Sequence, residues 1–194
     1  KRLNTYDLRT IWLAGQTNAF AELGEEWIKN GLSEKVSPSV RRWIVAILGE
    51  EPKFSEFRFV QMVRLAKTDP SPEVRLAVAS VALRYSGKIK VPTLFHALME
   101  RKEDANDPVI PFLTWLGYEQ ILSGGAQEEL NWLAENAPGN PFITDHILSK
   151  TVRRIASSAE PKDLTICMRF IQRLSDKTLR RKALDGMLLA LGNR

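Results

Sequence analysis

Histidine, cysteine and paired carboxylates are the side chains through which a chain of this kind would do chemistry, and here they are few and scattered. His96 and His146 are the only histidines and fall in different helical segments. Neither has a second histidine at a spacing such as His-x3-His, which would put two imidazoles on one helix face, so each reads as a surface or core residue. Cys167 is the single cysteine. One thiol excludes an internal disulfide, a cysteine-clustered metal site and a Cys-x-x-Cys-His haem attachment. Cys167 stands in Leu164–Leu174, a segment of helical period, where a small core residue is expected rather than a nucleophile. Gly124-Gly125 lacks the Lys-Ser/Thr that completes a phosphate loop, and Ser123 lacks a Gly-x-Ser-x-Gly frame. Asp104 with Asp107, and Asp69 with Glu73, are the acid pairs that could supply a catalytic carboxylate. Each flanks a helix start, however, where capping and the helix dipole account for it. No catalytic residue, metal ligand or cofactor-binding residue is assigned.

The arginines form the one suggestive constellation. Arg41, Arg75 and Arg180 each stand four residues after a helix-start residue, Ser37, Ser71 and Asp176. Arg42 and Arg181 adjoin two of them, and Arg153-Arg154 lie further along another helix. In a stack of repeats, equivalent positions align on one surface, so these residues are candidates for a basic binding stripe. Trp43 and Trp132 join them as candidate edge aromatics, since interleaved rings and cations stack on bases. Trp12 and Trp115 share a repeat position otherwise held by Val, Ala and Leu, and are expected in the core.

The elements that position these residues follow from punctuation. Ser37-Pro38, Ser71-Pro72, Asp107-Pro108 and Asn140-Pro141 each place a side-chain acceptor before proline. The acceptor satisfies free N–H groups at a helix start, and proline costs nothing at the first helical position. The intervals are 34, 36 and 33 residues, and Asn4 and Asp176 extend the series in weaker form. Three residues after each cap stand Val40, Val74, Ile110, Ile143 and Leu179. Eight residues after stand Val45, Ala79, Trp115, Leu148 and Leu184, with Trp12 at the matching place. Both offsets fall near one helix face, which must be buried. A second set of apolar helical segments lies between, marked by Phe20, Leu23, Trp27 and Ile28; by Phe54, Phe57, Val60 and Val63; and by three later groups. No β-branched alternation of strand length occurs. The fold class is therefore all-α: an α-α superhelix of a lead-in helix at about 5–14 and five pairs, at about 19–49, 53–86, 91–123, 126–157 and 161–191, forming a single domain. The segment Glu100–Asn106 reads as an exposed, charged turn.

Composition agrees. With 44% hydrophobic and 26% charged residues in 194, the chain buries a real core and is not disordered. Its net charge of +5 comes from 28 basic and 23 acidic residues interleaved along the chain, an excess as typical of a solvated helical surface as of an anion-binding one. No apolar run approaches a membrane span and the N-terminus does not read as a signal peptide, while the opening at Lys1-Arg2 suggests a mature product or an excised piece.

Asp69-Pro70-Ser71-Pro72-Glu73-Val74-Arg75 with the Ala-rich Leu76–Ala82, and Ser37–Leu48, resemble the second helix of HEAT repeats. In that repeat type the arginine pairs with an acid in the inter-helix turn, which implies Asp69 for Arg75. The tetratricopeptide alternative wants Trp, Leu-Gly and Tyr apart, whereas Trp115–Tyr118 are contiguous. More narrowly, Val40–Glu51, Leu65–Ser80, Glu103–Glu119 and Val152–Ala156, in that order, resemble the HEAT-like segment of large secreted multidomain proteins of planctomycetes and verrucomicrobia. These are commonly described as membrane-bound dehydrogenases and join a propeller, this helical segment and a c-type haem domain. The resemblance implies an extracytoplasmic location and a scaffold role, with neighbouring domains of the parent chain or another protein as partners. The redox chemistry would belong to the other domains, and this segment would hold no cofactor. The alternative is a basic nucleic-acid-binding domain, similar to HEAT-like alkylpurine glycosylases. A third reading, a lyase-like helical repeat acting on pigment or cofactor proteins, requires an accessible Cys167.

Overall fold

The computed structural model describes residues 6–16, 24–50, 55–87 and 92–192. The expected cap at Asn4, the core positions Phe20, Leu23 and Phe54, and several expected element starts lie outside them. Among the described residues every regular element is helical, and the helices pack as a superhelix. A lead-in helix α1 (Leu8–Gln16) precedes five layers. They are α2 (Glu25–Gly31) with α3 (Pro38–Leu48), α4 (Glu56–Thr68) with α5 (Pro72–Tyr85), and α6 (Thr93–Met99) with α7 (Ile110–Ile121). Then come α8 (Ala126–Asn136) with α9 (Pro141–His146) and α10 (Leu148–Ala156), and finally α11 (Pro161–Arg173) with α12 (Lys177–Leu191). The second helices stack in the series α1, α3, α5, α7 and α9, and then α10 on α12; α4 stacks on α6 and α8 on α11.

The capping chemistry is partly as expected. Asp107 Oδ1 accepts from the backbone N–H of Val109 and Ile110, both at 2.8 Å. Asn140 accepts from Ile143 and Asp176 from Thr178 and Leu179. Ser37 and Ser71 make no such bond. The Ser71 N–H instead donates to Asp69 Oδ1 at 2.9 Å, so the acid two residues upstream organises that turn. Proline occupies the first position of α3, α5, α9 and α11, whereas α7 begins only at Ile110, two residues after Pro108. The fourth second helix, expected as one piece, breaks at Ile147. Thr144 and Thr151 on either side return their hydroxyls to the carbonyls of Asn140 and Ile147, a back-bond that bends helices.

The seam follows the repeat. Val40, Val74, Ile110, Ile143 and Leu179 are all buried, as are Val45, Ala79, Trp115 and Leu148. Two members of the second series are exposed, against expectation: Trp12 at 57% and Leu184 at 38%. Helix α1 turns Ile11 and Ala14 inward instead, which leaves Trp12, one residue round the helix, facing out. Leu184 belongs to the last described layer, where no further layer covers it.

Close approach between layers depends on glycine. A Cβ at Gly186 of α12 would lie 2.2 Å from the Ser149 carbonyl oxygen of α10, a clash with backbone. Only a residue without a side chain lets these two helices touch there.

Candidate functional site

The arginines four residues after Ser37 and Ser71 sit on the face of their helix that meets the next layer. Arg41 on α3 is 2% exposed and reaches forward to the turn between α4 and α5. Its Nε donates to Asp69 Oδ2 and its Nη2 to Asp69 Oδ1, both at 2.8 Å, while Nη1 donates to the Val36 carbonyl. Arg75 on α5 repeats the pattern one layer on. Its Nε and Nη2 donate to the two oxygens of Asp104, and its Nη1 donates to the Asp69 carbonyl at 2.6 Å. Both pairs are bidentate, and both are buried to within 3% of complete on each side. Planar forks of this kind match a carboxylate in geometry as well as charge.

Asp69 thus joins two layers, its side chain held by Arg41 and its carbonyl by Arg75. The expected pairing of Asp69 with Arg75 is corrected accordingly. The carboxylate serves the arginine of the preceding layer, because the turn that carries it lies against that helix, and Arg75 takes the acid of the following turn. The turn at Glu100–Asn106 is also not simply exposed. It winds into a 3-10 segment, Lys102–Asn106, with Asp104 and Ala105 buried. His146 from the next layer holds it through the Ala105 carbonyl, 2.7 Å from Nε2. Burial works against the charge on Arg75, but its hydrogen bonds to Asp104 and the nearby charges of Asp104, Glu103 and Asp69 hold its pKa above the ordinary arginine value.

Other arginines tie the second layer to the first and the third to the second. Arg64 Nη2 donates to the Leu32 carbonyl at 3.2 Å, Arg84 Nη1 to the Gly49 carbonyl at 2.9 Å and Arg101 Nη1 to the Lys67 carbonyl at 2.7 Å. The sequence reading overlooked these three. Their signal was a separation of 32 to 35 residues from the receiving turn, close to one repeat length.

The proposed basic stripe does not form as a single surface. Arg41 and Arg75 are interior, consumed by their aspartates. Arg42, Arg153, Arg180 and Arg181 are exposed, and Arg154 is exposed but paired with Glu119 at 3.1 Å. Arg42 lies over the ring of Trp43, 5.2 Å from its centroid, and Trp43 is 37% exposed. Arg42, but not Trp43, borders a cavity of about 200 Å³ between α3 and α5, lined also by Glu73 and Arg84. Trp132 is not a free edge aromatic: its ring stacks on His96 at 3.8 Å, nearly parallel.

His96 brings chemistry-bearing groups together across the layers formed by α6 and α8. Its Nε2 lies 2.8 Å from Glu129 Oε2, a buried carboxylate. Tyr118 closes the cluster, its ring 6.4 Å from His96. The Tyr118 hydroxyl is buried beside Glu129, and burial together with the Glu129 carboxylate pushes its pKa well above the usual phenol value. Cys167 is fully buried between α11 and α10, and burial with the charge of Asp163 pushes its thiol up to about 11. That places it in the core, as its helical register implied, and against the reading that needs it accessible. Among the described residues no group of three or more His, Cys, Asp or Glu side chains is placed to hold a metal ion, and no helix is long and apolar enough to cross a membrane.

No protein-family model, no curated protein and no solved structure matches this chain. The assignment of role therefore rests on geometry.

Proposed function

We propose that this chain is a non-catalytic scaffold, a HEAT-like solenoid that holds neighbouring domains of a larger extracytoplasmic redox protein, or a protein partner, at fixed positions. The observation that carries this reading is the pair of buried Arg–Asp forks that join the first layer to the second and the second to the third. An isolated buried ion pair adds little net stability, because desolvation of both charges offsets their attraction. What it does supply is one permitted alignment of adjacent layers, since a slip between them strands a charge in the interior. A protein whose task is to set distances gains from that alignment.

The test has two arms. Spin labels at Lys35 and Lys177, both exposed and at opposite ends of the stack, are expected to give one narrow distance distribution that broadens when Arg41 and Arg75 are both replaced by Met. Purified, cofactor-free chain is expected to show no sugar oxidation with an artificial electron acceptor. Turnover, or a broad distribution in the unaltered chain, overturns the proposal.

A second reading, nucleic-acid binding, rests on the exposed pair Arg42 and Trp43. It requires a mobility shift at low salt that weakens steeply as salt rises and is lost in Arg42→Ala. No shift at low salt disposes of it.

A further inference from the structure

Three observations converge on the outer face of α12. The first is register. Four, eight and twelve residues after the cap, Arg41 and Val45 of α3 and Gly49 at its C-terminal end are all buried, Arg41 bonded to Asp69 and Gly49 lying against Val81 of the next layer. At the same offsets α5 carries Arg75 and Ala79, buried, and Leu83, half-buried. On α12 those offsets hold Arg180, Leu184 and Leu188. All three are exposed, Leu188 at 65%, and Leu189 beside them is exposed at 53%. On the same helix Leu179, Ala183 and Gly186 are buried, with Gly186 against Ser149 of α10. So α12 has one face packed and the opposite face built like a seam.

The second is the state of Arg180. Arg75 anchors itself to the carbonyl six residues upstream with one nitrogen and gives its remaining edge to an aspartate of the next layer. Arg180 makes the same upstream contact, its Nε and Nη2 donating to the Leu174 carbonyl at 3.1 and 2.6 Å. It makes no ion pair among the described residues. The third is charge. The first turns of α12 carry Lys177, Arg180 and Arg181 with no acid among them, and the adjacent Asp176 is engaged in capping the helix.

We infer that the outer face of α12 is a docking surface for one more two-helix layer, belonging to a neighbouring domain, whose inter-helix turn presents a carboxylate to Arg180. This deepens the scaffold reading and rests on it. Leu184 and Leu188 enter the seam with the incoming layer. The guanidinium keeps the Leu174 carbonyl through one nitrogen and turns its Nε/Nη2 edge to the new acid, as Arg75 does toward Asp104. The face selects its partner by both features. An apolar helix without the acid leaves Arg180 covered and unpaired, and an acidic segment without apolar side chains leaves the leucines wet.

The test uses the full chain with a copy of its own residues 53–86 joined after Leu191. In that fusion α12 takes the place of α3, and the copied Asp69 stands 28 residues beyond Arg180, the separation found between Arg41 and Asp69. Hydrogen exchange of the α12 backbone amides is the readout. The expected result is at least about tenfold greater protection of α12 in the fusion than in the unextended chain. Arg180→Ala, or Asn at the copied aspartate, is expected to remove most of that gain, while Arg180→Ala in the unextended chain changes α12 protection less than about twofold. Leu188→Asp removes the gain entirely. Unchanged protection, a gain indifferent to Arg180→Ala, or an added segment that stays unfolded beside a folded α12 overturns the inference. So does self-association of the unextended chain in light scattering that Leu188→Asp abolishes, because the occupant is then a second copy. A failure of this kind leaves the spin-label and turnover results untouched, so the two readings fail separately.

Discussion

Replacing Asp69 by alanine tests the central device. In the folded chain the Asp69 carboxylate neutralises Arg41, which is 2% exposed and bonded through both Nε and Nη2. Removing it leaves a guanidinium sealed between α3 and α5 with only the Val36 carbonyl as an acceptor. A stranded buried charge of this kind costs about 3–5 kcal/mol. For a chain of this size each kcal/mol moves the melting midpoint by about 2–4 °C, so Asp69→Ala is expected to lower it by roughly 6–20 °C. Replacing both partners by apolar residues, Arg41→Met with Asp69→Leu, removes the charge along with its counter-charge. That variant is expected within about 1 kcal/mol of the unaltered protein, or above it. Thermal and urea unfolding followed by circular dichroism supply all the values, and a double-mutant cycle extracts the coupling. The cycle for Arg41 with Asp69 is expected to exceed the one for Arg75 with Asp69, since Arg75 touches Asp69 only through its carbonyl. A single-mutant loss below about 1 kcal/mol, the range of an exposed pair, would refute the reasoning. So would a larger coupling to Arg75.

Three further outcomes are expected. Gly186→Ala gains roughly 1 kcal/mol of helix propensity in principle but drives a methyl into the Ser149 carbonyl 2.2 Å away, so denaturant unfolding is expected to show a net loss of about 1–3 kcal/mol. Cys167 is expected to react with a thiol reagent at pH 8 at least about a hundredfold more slowly in the native chain than in urea, because raising the thiol to about 11 cuts the thiolate fraction by that factor before burial is counted. The same shift has a pH consequence. A thiol whose folded pKa lies above its unfolded value of 9.0 contributes stability that is complete below pH 9 and fades as the pH rises toward 11. Cys167→Ala is therefore expected to flatten the alkaline fall of the melting midpoint, and an identical fall in both proteins would count against it.

The repeat period, the helix pairs and most of the buried series were legible in the sequence for a physical reason: they are local. A cap residue, a proline and an apolar offset act within one or two turns, and the chain repeats them five times over. Cys167 was placed correctly by the same means, since helical register alone puts it beside Ile171 and Leu164. Caps at Asp107, Asn140 and Asp176 behaved as their chemistry dictates, while Ser37 and Ser71 did not, because at Ser71 a neighbouring acid took over the turn.

What the sequence by itself determined was thus the helical class and the face of each helix that turns inward, since a period of 3.6 residues with fixed punctuation admits no other way to hide the apolar side chains. Only the tertiary structure decided which acid each arginine takes. Asp69 lies six residues from Arg75 and 28 from Arg41, and chain proximity favours the first, yet stacking sets the turn against the helix of the preceding layer and gives its carboxylate to Arg41. The same stacking made Leu184 exposed while Leu148 is buried, although the two occupy one repeat position. Burial there depends on whether another layer follows, and that is a property of neighbours in space which no local pattern encodes.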